Sequence, residues 1–370
     1  MVADQLGAYD AIRARCPVAH EDYLGWTAFT HAEAVRVLRD HETFSSRVSA
    51  HLSVPNGMDP PEHTAHRRIN ERYFTPARMA ALEPAVRDIA AELVAALPRG
   101  PVEVMEHLAQ PFALRVQSAF MGWPESLHEP LRAWVARNHA ATLARDPDRL
   151  AAVAVEFDGY IRDQLDERRR AGAGAPADVT SELLGEKVDG RALSEAEIVS
   201  VVRNWTVGEL GTIAASVGIV VNALATRPEV QAAFRSDRAG ISAGVDELLR
   251  IHPPLIANRR VATRPVEVGG CPVSTGERVT VLWASVDRDE AVFGDPDEFA
   301  PDRNAADNLL YGTGIHACPG APLARMELRV LVEELLTRVR AIEVVPGAAP
   351  APAVYPAGGF SQVVARFERA

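Results

Sequence analysis

Ten residues near the end of the chain, Tyr311-Gly-Thr-Gly-Ile-His-Ala-Cys318-Pro-Gly320, constrain it more than any other stretch. A single cysteine sits in a loop punctuated by Gly312, Gly314 and Gly320, and Pro319-Gly-Ala-Pro-Leu-Ala-Arg325 opens a helix straight after it. Glycines let the backbone turn tightly and let a flat ligand approach it closely. A thiolate at the start of a helix is stabilised by the helix's positive end. A lone thiolate so placed suits a haem iron, where sulfur donation favours O–O bond cleavage. A cysteine alone in a Gly-rich turn would be equally compatible with a buried structural thiol; the full pattern favours the metal ligand.

Helical patterning dominates the rest. Thr30–Asp40 puts Ala34, Val35 and Leu38 on one face behind a threonine cap. Pro76–Leu97 reads as one long helical region ended by Pro98-Arg99-Gly100, and Leu150–Arg170 as an amphipathic helix finishing in arginines. Gly172–Ala177 is a loop too short to be a domain linker. Ser194–Thr226 is the longest apolar helix, opening with a Ser194-Glu-Ala-Glu197 capping box and stopping before Arg227-Pro228. A helix apolar on nearly every face belongs in a large core. Strand signals come late, at Pro265–Gly270, Arg278–Trp283 and Val363–Phe367. The expected fold is mainly α with a small strand-rich part (α+β), in one domain spanning residues 1–370.

A net charge of −11 argues against nonspecific nucleic-acid binding. Cys16, Cys271 and Cys318 lie far apart without CxxC spacing, which disfavours a disulfide framework or a zinc site and fits a reducing cytoplasm. The start of the chain lacks a basic stretch followed by an apolar run, and no segment reads as a membrane span free of charges or helix breakers. Lys187 is the only lysine, which reads as genome composition. The expectation is a cytoplasmic monomer with no nucleic-acid or membrane partner.

The loop 311–320 resembles the haem-binding loop of the cytochrome P450 monooxygenases, with Tyr311 where Phe is usual, and four further segments are similar to that family in the same order. Glu247-Leu-Leu-Arg250 places a carboxylate and a guanidinium on one helix face. The resemblance implies that Arg303, from Phe299-Ala-Pro-Asp-Arg303, joins them in a buried structural network. It also implies that His63 and Arg67, Arg260 and His316 meet the two haem propionates, for which Arg's planar fork is well suited. Cys318 would ligate haem b, cradled by Tyr311, Gly312 and Gly320. Counting back from Pro228, Thr212 falls on the family's oxygen-side threonine and Gly208 on the small residue beside the iron. Gly208 and Gly211 would open a gap for the haem, or simply allow close helix packing.

One position departs from the family. The residue before the threonine is usually Asp or Glu and here is Gly211, so proton delivery would fall to water, a substrate group or Glu209. Substrate contacts are expected from Asn204, Val207, Leu210, Ile256, Ala257, Asn258 and Phe360. The segment between Phe44 and Asp59 is short for this family, which implies either an open pocket or a neutral deletion.

The resemblance implies a soluble bacterial enzyme that activates O2 with electrons from a ferredoxin and an NAD(P)H-linked ferredoxin reductase. It would hydroxylate a bulky small molecule or peptide of secondary metabolism. Arg325 and Arg329 are candidates for docking the acidic redox partner. Two other readings stay open: oxidative coupling of aromatic side chains in a small peptide without oxygen insertion, and a non-catalytic haem-dependent ligand-binding protein.

Overall fold

Ser194 sets the start of the element around which the molecule is built. Its hydroxyl accepts from Glu197 N–H while the Glu197 carboxylate takes the Ser194 N–H at 2.7 Å, the reciprocal cap expected from the sequence. The helix that follows, Glu195–Thr226, runs 32 residues, about 48 Å at the rise of an α-helix. Nearly all its side chains from Ile213 to Leu224 are buried. By length and composition it could cross a membrane, contrary to the expectation that no segment would, but 67% of its most apolar window is buried inside the fold. Its apolar surface is met by helices Gln110–Met121, Pro147–Ala171, Ile241–Ile251 and Ala321–Arg338.

The computed structural model describes residues 4–144, 146–355 and 357–369, so residues 1–3, 145, 356 and 370 of the expected domain span lie outside the described residues. Helix Pro76–Ala96 packs along Ala321–Arg338. Arg87 and Arg329 tie the two together through Glu83, Glu333 and Glu334. The architecture is mainly helical, with a five-stranded sheet of order Val18–Glu21, Gly25–Ala28, Arg278–Leu282, Ala257–Ala262, Phe44–Ser45. Within it, Arg278–Leu282 pairs in parallel with Gly25–Ala28 and antiparallel with Ala257–Ala262. Strand Val364–Arg369 is central in a second, three-stranded sheet, and Val266–Val268 folds back on Cys271–Val273.

Two local details differ from expectation. In helix His31–Arg39 the buried face is Ala34, Val37 and Leu38, with Val35 only half-buried. Thr30 sits at the N-cap but makes no capping bond; Asp289, distant in sequence, accepts the His31 N–H at 2.8 Å instead.

Candidate active site

The cysteine loop, the long helix and the strand Ala257–Ala262 enclose one cavity of about 700 Å3. The loop's shape is fixed by its backbone. Gly314 has φ +74°, and a Cβ there would lie 2.6 Å from the Leu38 carbonyl oxygen, so only glycine lets the loop rest on the His31–Arg39 helix. Cys318 N–H donates to the Tyr311 carbonyl at 2.7 Å and closes the turn. Tyr311, where Phe was the expected residue, uses its extra hydroxyl to donate to Asp246 at 3.1 Å. Arg325 Nε also donates to Asp246, at 2.7 Å, and its guanidinium lies 4.5 Å over the Tyr311 ring.

Cys318 lines the cavity and its side chain is exposed to that space. Burial raises its thiol pKa; the Gly320 N–H, the Arg67 charge and the Ala321 N–H act against that rise. All three cysteines are free thiols, and Cys318 alone lines the cavity.

Across the cavity the long helix presents Asn204, Gly208, Thr212 and Ser216, four residues apart, and the adjoining row Trp205, Glu209 and Ile213. Thr212 Oγ1 donates to the Gly208 carbonyl at 2.5 Å. A Cβ at Gly208 or Gly211 would meet no atom within 4 Å, so neither glycine serves close helix packing here. Gly211 itself is outside the cavity lining.

Glu209, two residues before Gly211 and on a different face of the helix, lines the cavity together with Thr212. Its carboxyl meets that of Glu327, from the helix after the cysteine. Glu209 Oε1 and both Glu327 oxygens are buried without a partner at normal hydrogen-bond length. Burial pushes Glu209 up to about 7, and burial next to Glu209 pushes Glu327 well above the usual carboxylate range. Glu327 was missed from the sequence, although an acid on the buried Leu323, Val330, Leu331 and Glu334 face of its helix is a detectable signal.

One wall holds unsatisfied donors. The His63 and His316 rings are 4.3 Å apart, and both His63 nitrogens and His316 Nε2 are buried without partners. Burial lowers both imidazoles, His316 to about 3 with the Arg260 charge assisting. Arg260 is 8% exposed, and among the described residues its guanidinium donates only to the Arg259 carbonyl, at 2.8 Å. A thiol facing a slot, with buried cations and imidazoles that lack acceptors beside it, fits a haem with two propionates. His63 and Arg67 both stay outside the cavity lining; His63 reaches it through its ring contact with His316, and Arg67 pairs with Glu71 at 2.8 Å.

Several expected contacts are not made. Arg250 and Glu247 form a buried bidentate pair at 2.7 and 2.9 Å, but Arg303 does not join it. Arg303 instead binds Glu298 and the Asp295 carbonyl, while Arg250 is completed by the carbonyls of Asp287 and Pro296. Val207, Leu210, Ile256 and Phe360 do not line the cavity. The helical period turns Val207 to solvent and Leu210 into the main core. Strand alternation sends Ile256 into a satellite cluster with Phe29 and Leu282, and Phe360 packs on the main core. Ala257 and Asn258 do line the cavity. Asn204 does too, but its amide donates to the Val54 carbonyl at 2.9 Å and anchors the 44–59 segment. That segment borders the cavity with Ser46, Val48, Ser49, His51, Ser53 and Asn56. Arg325 and Arg329, expected as docking cations, are paired with Asp246 and with Glu83 and Glu333. Phe74, Phe120, Gln117 and Trp205 also line the cavity and carry no sequence signal, because separate helices bring them together.

Known proteins point the same way as this geometry. The family model described as Cytochrome P450 matches residues 126–352. Erythromycin C-12 hydroxylase of Saccharopolyspora erythraea is 33% identical over 91% of this chain and 88% of its own. Cyclomarin C epoxidase of Salinispora arenicola is 32% identical over 86% of this chain and 84% of its own. Among solved structures, a mutant of P450 EryK in complex with erythromycin B superposes with a TM-score of 0.89 at 31% identity, over 98% of this chain and 95% of that one.

Proposed function

Because the chain belongs to the cytochrome P450 family, whose members carry haem on a cysteine thiolate, we propose that Cys318 holds haem b and that the enzyme hydroxylates a bulky product of bacterial secondary metabolism. We further propose a single domain over residues 1–370, working as a monomer in the cytoplasm with a ferredoxin and an NAD(P)H-linked reductase. The observation that carries the reading is the juxtaposition of Cys318 and Thr212 in one cavity. The relatives' names, a hydroxylase of erythromycin and an epoxidase of cyclomarin, support a large substrate.

Bound haem supplies O2 activation and oxidation of a substrate C–H bond. His316 and Arg260, with His63 beside them, would hold it by meeting its propionates. The Tyr311, Asp246 and Arg325 cluster stiffens the loop that aims Cys318. Gly208 leaves room on the opposite side. The Thr212 hydroxyl has its proton committed to Gly208 O, which leaves its lone pairs to accept a hydrogen bond from a group in the cavity. Burial favours the protonated carboxyl of Glu209, which makes it the acid on this helix face in place of the one missing at Gly211.

The test is turnover under labelled O2 with a ferredoxin, its reductase and NADPH, using a panel of macrolides and cyclic peptides. A product heavier by one labelled oxygen supports hydroxylation. Loss of two hydrogens without oxygen would instead mean aryl coupling, and binding without any mass change a carrier role.

A further inference from the structure

Three residues from distant parts of the chain form a second polar corner of the cavity. They are Tyr23 in the turn between strands Val18–Glu21 and Gly25–Ala28, Arg259 on strand Ala257–Ala262, and Tyr355 near the C-terminus. Arg259 Nη2 donates to Tyr355 Oη at 3.0 Å, and its guanidinium lies 5.2 Å over the Tyr23 ring. The two tyrosine rings meet edge to face at 6.1 Å.

Strand alternation separates Arg259 from its neighbour. Arg260 lies near Asp59 and the two imidazoles. Arg259 turns the other way; burial disfavours its charge, and the two tyrosines, Tyr23 and Tyr355, favour it. Among the described residues no carboxylate pairs with Arg259, although acids outnumber bases in this chain, 50 to 39. It is half-buried and held in place by two rings, so little side-chain freedom remains to be lost on binding. Accepting from Arg259 also leaves the Tyr355 hydroxyl proton free to donate. The corner therefore offers converging donors and an uncompensated positive charge.

We infer that Arg259 and Tyr355 form a carboxylate-binding subsite, and that the enzyme selects substrates carrying an acid group. The inference rests on the cavity being the substrate site. Its test uses the haem-loaded protein and equilibrium dialysis, which reports binding whether or not turnover occurs. The probes are N-lauroyl-phenylalanine and its carboxamide, which differ in the acid group alone.

A charge-assisted contact predicts that the wild type binds the acid roughly ten-fold or more tighter than the amide. Arg259→Gln should abolish that preference while leaving amide affinity unchanged. Arg259→Lys should keep part of it, and Tyr355→Phe should reduce it a few-fold. Equal affinity for acid and amide, failure to bind the acid, or an intact preference in Arg259→Gln would each overturn the subsite. A missing thiolate spectrum would sink the monooxygenase reading instead, and leaves the dialysis result standing.

Discussion

Arg250 and Arg303 both lie beside glutamates, yet breaking the two pairs should differ greatly in cost. The Arg250 side chain is 1% exposed, and Glu247 is the carboxylate it pairs with. Glu247→Ala strands that charge, at a cost of roughly 3–5 kcal/mol. Arg303 is 29% exposed against a more exposed Glu298, so Arg303→Ala should change stability by no more than about 1 kcal/mol. Denaturant melts of the two variants measure the difference; equal losses would mean that Arg303 does belong to the network. Gly314→Ala should lower both haem content and melting temperature, since left-handed backbone alone costs a non-glycine residue roughly 1–3 kcal/mol and the Leu38 carbonyl blocks the new methyl.

Proton delivery can be tested one side chain at a time. Glu209→Gln keeps the shape and removes the acid, so product formed per NAD(P)H consumed should fall several-fold while peroxide release rises. Gly211→Asp has open space around it and should recover part of the coupling in that background. Unchanged coupling in Glu209→Gln would leave water or the substrate as the proton source. What the sequence made legible here were residues whose backbone demands or chemistry are local: Cys318, the loop glycines, Thr212, and the Glu247–Arg250 pair three residues apart. Arg303 was misjudged, because spacing along a loop does not say which carboxylate an arginine will reach.

The long helix shows why faces are harder to read than elements. Its cap, length and stop were all visible in the residues, as were the late strands to within a few positions. Yet a helix apolar all round has no strong stripe, and so nothing in its pattern told Asn204, Gly208 and Thr212 apart from Val207 and Leu210. The cap itself makes a pH prediction. Arg191, the Ser194 backbone and hydroxyl, and His66 hold the Glu197 carboxylate well below the usual range. A depressed carboxyl contributes stability that is complete above its unfolded pKa and is lost as pH falls below it. Glu197→Gln should therefore lower the melting temperature at pH 7 and flatten its decline between about pH 5 and pH 3. A parallel decline in both proteins would show that the cap carries no such linkage.

Viewed entire, the molecule is a helical scaffold that holds one thiol opposite one threonine across a closed space. The class of fold was legible because helix periodicity and the cysteine loop agreed with each other. The cavity's walls were not, because Tyr23, Phe74, Phe120, Gln117 and Tyr355 meet only through tertiary packing. The central claim is that Cys318 alone binds the haem iron, and the reduced carbon monoxide spectrum tests it most directly. Each cysteine is changed to serine in turn, with circular dichroism to verify the fold. Cys16→Ser and Cys271→Ser should keep the strongly red-shifted Soret band of a thiolate-ligated haem, and Cys318→Ser should lose it. The band persisting in Cys318→Ser, or vanishing in either of the others, would contradict the account.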